Sequence, residues 1–138
     1  MRSIAAVIML LSTAAFAAAD ERRLSSDNAE WSEVGETDMA LVYLNEGTIR
    51  ATSQGKQAWV LANFKDRIPG PAPESTVASH LAIYEFHCAE QRFRRLAGVW
   101  YSEPKGGGEV LDADRADASW TYPSPQSVLF GVLSRVCS

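Results

Sequence analysis

The chain has little of what most enzymes need. Two histidines and two cysteines are its whole stock of imidazole and thiol groups. No HExxH, GxSxG or paired CxxC occurs, so zinc-protease, serine-hydrolase and zinc-ribbon chemistries have no basis in it. The glycine cluster Lys105-Gly106-Gly107-Gly108 lacks the spacing and the Lys-Ser/Thr of a phosphate loop. Positive charge is also short, 13 Lys and Arg against 17 Asp and Glu for a net −4. A nucleic-acid binder would need a basic surface to displace counterions, so that class is excluded as an expectation. After the first 19 residues no apolar run approaches the ~18 residues of a membrane span.

Residues 1–19, MRSIAAVIMLLSTAAFAAA, read as a cleaved signal peptide. Arg2 supplies the positive n-region, Ile4 to Phe16 the apolar core, and Ala17 and Ala19 the small-x-small site. Cleavage before Asp20 leaves 119 residues of net charge −5, enough for one domain. The expected product is periplasmic or secreted. No cysteine follows the apolar stretch, so no lipid anchor is expected either. Residues 20–29, DERRLSSDNA, read as a loose leader to a domain over 30–138.

Export and an even count make a disulfide between Cys88 and Cys137 the default. A metal pair, a catalytic thiol and an interchain bridge are the alternatives. His87 precedes Cys88, but strand neighbours point to opposite faces, so it cannot activate that thiol. His80 and His87 are separated by an odd number of positions, which also puts them on opposite faces of one strand. A two-histidine metal or haem clamp therefore fails on one strand unless a bulge resets the phase; ligation by a single histidine stays open without support, and no cofactor is expected. Asp112, Asp114 and Asp117 hint at a calcium loop. Ala116 and Pro123 stand where such a loop needs an oxygen ligand and Glu, so the match fails.

From Trp31 the pattern is short apolar runs between turn residues, as in antiparallel strands. WSEVGE is a first strand. MALVYL (39–44) and TIRATS (48–53) read as a hairpin about Asn45-Glu46-Gly47, with Gly47 at positive φ. Gln54-Gly55 marks a further turn before KQAWVLANF (56–64), the most continuous apolar strand. Asp66–Thr76, with three prolines, reads as a long surface loop. On the next strand His80, Ala82, Tyr84, Phe86 and Cys88 share one face, and Leu81, Ile83, Glu85 and His87 the other. RFRRLAGVWYS (92–102) follows through a tight turn near 89–91 or a bulge. The KGGG tip then leads to EVLDAD (109–114), and 120–122 is a short extended piece.

The end of the chain has helical periodicity. Ser124 and Pro125 form an N-cap and first-turn pair. At ~100° per residue, Val128, Leu129, Phe130, Val132, Leu133, Val136 and Cys137 cover an arc of roughly 200°. Ser127, Gly131, Ser134 and Arg135 lie opposite. So wide an apolar face needs the sheet beneath it, which brings Cys137 towards Cys88. The expected fold class is α+β, a single antiparallel sheet with a C-terminal helix packed on one face and tied by a disulfide.

QRFRRL holds the one concentration of positive charge. Arg92, Arg94 and Arg95 flank Phe93, with Arg92 and Arg94 on one face. They are the candidate partner-binding residues, suited to carboxylates, sulfated sugars or an acidic protein surface. A solvated strand pairing with its own acids is the alternative.

The order of WSEVGE, LVYLNEGTIR, AWVLANFK, YEFHCAEQRFR, YSEPKGGGEV and YPSPQSVLFGVLSRVC resembles the surface-adhesin protein E family over residues 31–137. The resemblance implies about six strands, with the concave face covered by the helix and the family's cysteines at Cys88 and Cys137. It also implies a non-enzymatic binding module for a protein or polyanionic partner, such as a host matrix or serum protein, and haem binding has been attached to the namesake. The chain departs from that pattern in lacking an anchor cysteine and in carrying His87 where an acid is expected. The alternative function is a periplasmic inhibitor or structural protein acting on bacterial partners.

Overall fold

In the computed structural model, residues 30–115 and 119–138 are described. The expected signal peptide and most of the leader lie outside them, as does Asp117. Six strands follow one another across the sheet in the order of the sequence, β1 (Trp31–Glu36), β2 (Ala40–Ala51), β3 (Lys56–Pro69), β4 (Thr76–His87), β5 (Arg92–Glu103) and β6 (Gly107–Arg115). Every neighbouring pair is antiparallel. Such a meander needs only short connections, which the turn residues supply. One helix, α1 (Val128–Val136), closes the chain.

Alternation sorts the strands into two faces. Val42 and Leu44 on β2, Ala58 and Val60 on β3 and Phe86 on β4 form one buried cluster with Val132, Leu133 and Val136 of α1. This is the face that the apolar arc of α1 covers. The helix lies over β1, β2 and β3. Gly131, expected on the outer side, instead meets β1: a Cβ there would stand 3.3 Å from Val34. The lack of a side chain lets the helix settle close to the sheet.

Cys88 and Cys137 are joined, with Cα atoms 5.5 Å apart and 49 positions between them in sequence. The bridge binds the turn after β4 to the last turn of α1. Closing a loop of that size is worth about 4 kcal/mol in the chain-entropy account.

Four local expectations need correction. Asn45-Glu46-Gly47 is not a hairpin turn; β2 runs straight through it to Ala51. Opposite β3 the register shifts between Asn45 and Arg50, so the extra residues form a bulge. Several of its polar groups are paired: Asn45 Oδ1 accepts from Gly47 N at 3.1 Å, and Thr48 Oγ1 donates to Asn45 O at 2.6 Å while accepting from Trp59 N at 3.0 Å, whereas Asn45 Nδ2 is buried without a partner among the described residues. The real turn follows at 52–55, where Gly55 passes the chain of the β4 end so closely that a Cβ would fall 2.0 Å from Phe86 O.

The Asp66–Thr76 loop is shorter than expected. Strand β3 continues to Pro69 and β4 begins at Thr76, with Ile68 opposite Val77 and Pro69 opposite Thr76. Proline is tolerated there because it ends the strand, where its missing N–H breaks no inner ladder. Gly70 N donates to Ser75 O at 2.8 Å and closes the connection.

The helix starts later than Ser124. Its N-cap is Ser127, whose hydroxyl accepts from Phe130 N at 3.2 Å. Ser124 O instead accepts from Ser127 N at 2.9 Å and from its Oγ at 2.7 Å, which makes 124–127 a turn that delivers the cap.

The Lys105 tip is not loose. Pro104–Gly106 form one 3-10 turn, with Lys105 at φ 58° and Gly106 at φ 70°. Ser79 Oγ donates to Glu103 O at 2.7 Å and accepts from Gly106 N at 2.9 Å, and Asn63 Oδ1 accepts from Lys105 N at 2.6 Å. Ser79 and Asn63 pair on the face opposite α1. The tip therefore folds over one end of the helix-free face.

Candidate partner-binding surface

Strand β5 carries both a turn and a bulge. The 88–91 turn joins it to β4, with Gln91 at φ 55°. Ile83 then pairs with Ala97 but Tyr84 with Arg95, so Leu96 is an extra residue on β5. Because β4 itself keeps its phase, His80 and His87 stay on opposite faces. His80 stacks on Trp100 at 4.3 Å on the helix side, and His87 meets Trp120 edge-on at 5.7 Å on the other. No group of three or more metal-ligating side chains occurs among the described residues.

The arginines precede the bulge and follow simple alternation along β5. Arg92 lies opposite His87 and Arg94 opposite Glu85, so both project on the helix-free face. Arg95 lies opposite Tyr84, on the helix side. The structure thus brings Arg92 and Arg94 together and separates Arg95 from them.

Each arginine has a carboxylate beside it. Arg94 Nε donates to Glu85 Oε1 at 2.8 Å, and Glu85 is only 6 % exposed. Arg92 pairs with Glu90. Arg95 grips Asp114 with two bonds, Nη1 to Oδ1 at 2.8 Å and Nη2 to Oδ2 at 3.0 Å. That fork holds the Asp114 carboxyl below its ordinary range and raises Arg95. A bidentate pair of this kind is a fixed element and not a free positive charge.

Sequence reasoning did not see the role of Trp120. Thr121 bridges Phe93, with Phe93 N to Thr121 O at 2.9 Å and Thr121 N to Phe93 O at 2.8 Å. This short segment, expected only to be extended, takes the edge of β5 beyond the end of β6. Its alternation places Trp120 and Tyr122 beside the arginines. Arg94 lies 4.3 Å from the Trp120 ring centre and Arg92 5.5 Å, and Arg92 is also 5.9 Å from Tyr122. Cations over aromatic faces are attracted by the ring quadrupole. Tyr122 is 68 % exposed, one of the few large apolar side chains left open. Arginine, tryptophan and tyrosine are the residues over-represented at energetic centres of protein interfaces. The missed signal was WTY, two aromatics flanking one residue just where an edge strand could restart.

The helix side has a second feature. His80, half-buried, is held neutral, its pKa lowered to about 4 by burial first and by Arg95 second, against a smaller opposing effect of Asp114. Tyr84 is raised by burial.

Among the described residues no helix is long and apolar enough to cross a membrane. The fold is that of protein E from Haemophilus influenzae. One crystal form superposes with a TM-score of 0.66 at 14 % identity, covering 82 % of this chain and 91 % of that one. A second structure gives 0.65 at 14 % identity, with 81 % and 87 % covered. Protein E from a non-typeable strain gives 0.63 at 14 % identity, with 80 % and 76 % covered. At such identities the likeness speaks for the fold alone. No curated protein matches the chain. The profile of the surface-adhesin protein E family, however, matches residues 31–138, which is nearly all of the expected mature domain, and the chain belongs to that family.

Proposed function

We propose that the mature chain is an exported, non-enzymatic binding module that holds a protein or polyanionic partner on its helix-free face, centred on Arg92, Arg94 and Trp120. The observation that carries this reading is the convergence of two arginines and two aromatics at an edge that α1 leaves open. Family membership supports an adhesin-like role. Arg95, turned to the other face, has no part in it.

Binding of immobilised mature chain to matrix proteins, serum proteins and heparin tests the proposal. Arg92→Ala/Arg94→Ala should lose at least one partner that the native chain retains. Retention of every partner at native affinity would sink it. A second reading, a periplasmic inhibitor or structural protein, is favoured by the carboxylates already facing Arg92 and Arg94. Cell fractionation separates the two readings, since material confined to the periplasm cannot meet host ligands.

A further inference from the structure

Helix α1 packs chiefly over β1, β2 and β3. A cavity of about 230 Å³ remains between the first turn of the helix and the sheet. Its floor is Val60 and Ala82, its helix wall Val128 and Leu129, and its far wall the rings of His80 and Tyr84. The space exists because small side chains stand where large ones would fill it. Ala82 lies between Val60 on β3 and Gly98 on β5. At Gly98 a Cβ would come within 2.5 Å of both His80 Nε2 and Arg95 Nη1, so that position has to be glycine for the wall to stand as it does.

The wall is fixed before any ligand arrives. His80 is stacked on Trp100, and Tyr84 packs against Phe86 at 6.2 Å and Phe93 at 5.9 Å. Most polar groups at the rim are already used: the Ser127 hydroxyl caps α1, and the Thr37 hydroxyl accepts from Ala40 N at 3.0 Å. Two are not. His80 Nε2 is buried with no hydrogen-bond partner, and the Tyr84 hydroxyl has none among the described residues. Neither group is charged at neutral pH, and His80 Nε2, buried and left open in this way, calls for an explanation such as a ligand or water.

We propose that this cavity binds a small uncharged aromatic molecule bearing one hydroxyl or N–H group, of the size of a phenol or an indole. The size follows from the volume. Pockets for drug-sized ligands run from roughly 300 Å³ upward, whereas about 150 Å³ of apolar space already suffices for benzene. The apolar floor and the two ring walls favour a flat ring body, which meets aromatic side chains face-on or edge-on. No charged side chain lines the cavity, and Arg95, beside His80, is tied to Asp114, so a charged ligand would lose its hydration without a free counter-charge. The single polar group answers the two unpartnered side chains. This site lies on the opposite face from Arg92 and Arg94, so it stands or falls independently of the partner-binding reading.

Titration of the mature chain with phenol, followed by amide NMR shifts, tests the proposal. Saturable one-to-one binding is expected, with the largest shifts at Ala62, Ala82 and Val128. Ala82→Leu, which fills the floor, should weaken binding at least tenfold. If that variant does not fold, Val128→Phe fills the same space from the helix side and should do likewise. Tyr84→Phe should weaken phenol several-fold and leave toluene unchanged, and Arg92→Ala/Arg94→Ala should change neither. Shifts that do not saturate, or phenol binding undiminished in a folded cavity-filling variant, would overturn the site. Toluene binding as tightly as phenol to the native chain would overturn the assigned ligand class.

Discussion

The guanidinium of Arg94 sits 4.3 Å from the ring centre of Trp120, and the same guanidinium bonds Glu85 on the neighbouring strand. One cation thus joins the segment after β6 to the middle of the sheet. Trp120→Ala removes this contact, the one to Arg92 and the edge contact to His87. With each cation–π contact worth about 0.5–1 kcal/mol at a half-exposed site, the expected loss is about 1–2 kcal/mol. Urea unfolding measures it. A native midpoint in the variant would show that the segment is held by its Phe93 ladder alone.

The disulfide is the largest single covalent contribution to stability. Cys88→Ser/Cys137→Ser should lower unfolding stability by about 4 kcal/mol, a large share of the roughly 5–15 kcal/mol of a typical domain. Amide exchange should rise first in the last turn of α1, since chain ends fray unless tied. Unchanged exchange there would mean that burial of Val132, Leu133 and Val136 secures the helix without the bridge.

Gly55→Ala should be costly for a reason unrelated to its φ. The added Cβ meets a backbone carbonyl, Phe86 O, which cannot swing aside as a side chain would. Overpacking of this kind costs roughly 1–3 kcal/mol. Thermal unfolding of the variant beside Gly47→Ala, whose Cβ meets only side-chain atoms at 3.3 Å or beyond, isolates the effect. Equal losses at the two positions would contradict it.

His80 should give the stability curve a slope on the acid side of neutral. In the folded chain its pKa is lowered to about 4, while the unfolded chain takes up the proton near 6.5. Between those values the unfolded state binds more protons, so stability is full above 6.5 and falls as pH drops towards 4. Asp114 and Glu36, lowered by Arg95 and Lys65, keep their contributions until the pH goes below the ordinary carboxylate range. Urea midpoints at pH 7 and pH 5 should therefore differ in the native chain and converge in His80→Gln. An equal slope in both would assign the effect elsewhere.

Much of the architecture was legible in local patterns. The alternation from His80 to Phe86 named the helix-facing side of β4, and the periodicity from Val128 to Val136 named the buried stripe of α1. What misled was Asn45-Glu46-Gly47, whose residues suit a turn and a bulge equally. The outcome depends on whether Thr48 and Asn45 find partners across the sheet, which spacing in one strand does not reveal. Gly131 was misplaced for a similar reason: helical phase gives an angle, but the proximity of Val34 depends on how the helix crosses β1.

The sequence by itself determined that the chain would build strands and one buried helix, and that its two cysteines had each other as natural partners. These follow from side-chain periodicity and composition, which are local. Only the tertiary structure decided that Arg95 is locked to Asp114, that Trp120 joins Arg92 and Arg94, and that a cavity opens beside His80. Each of these depends on cross-strand register, and one inserted residue, Leu96, is enough to change which side of a sheet a side chain takes.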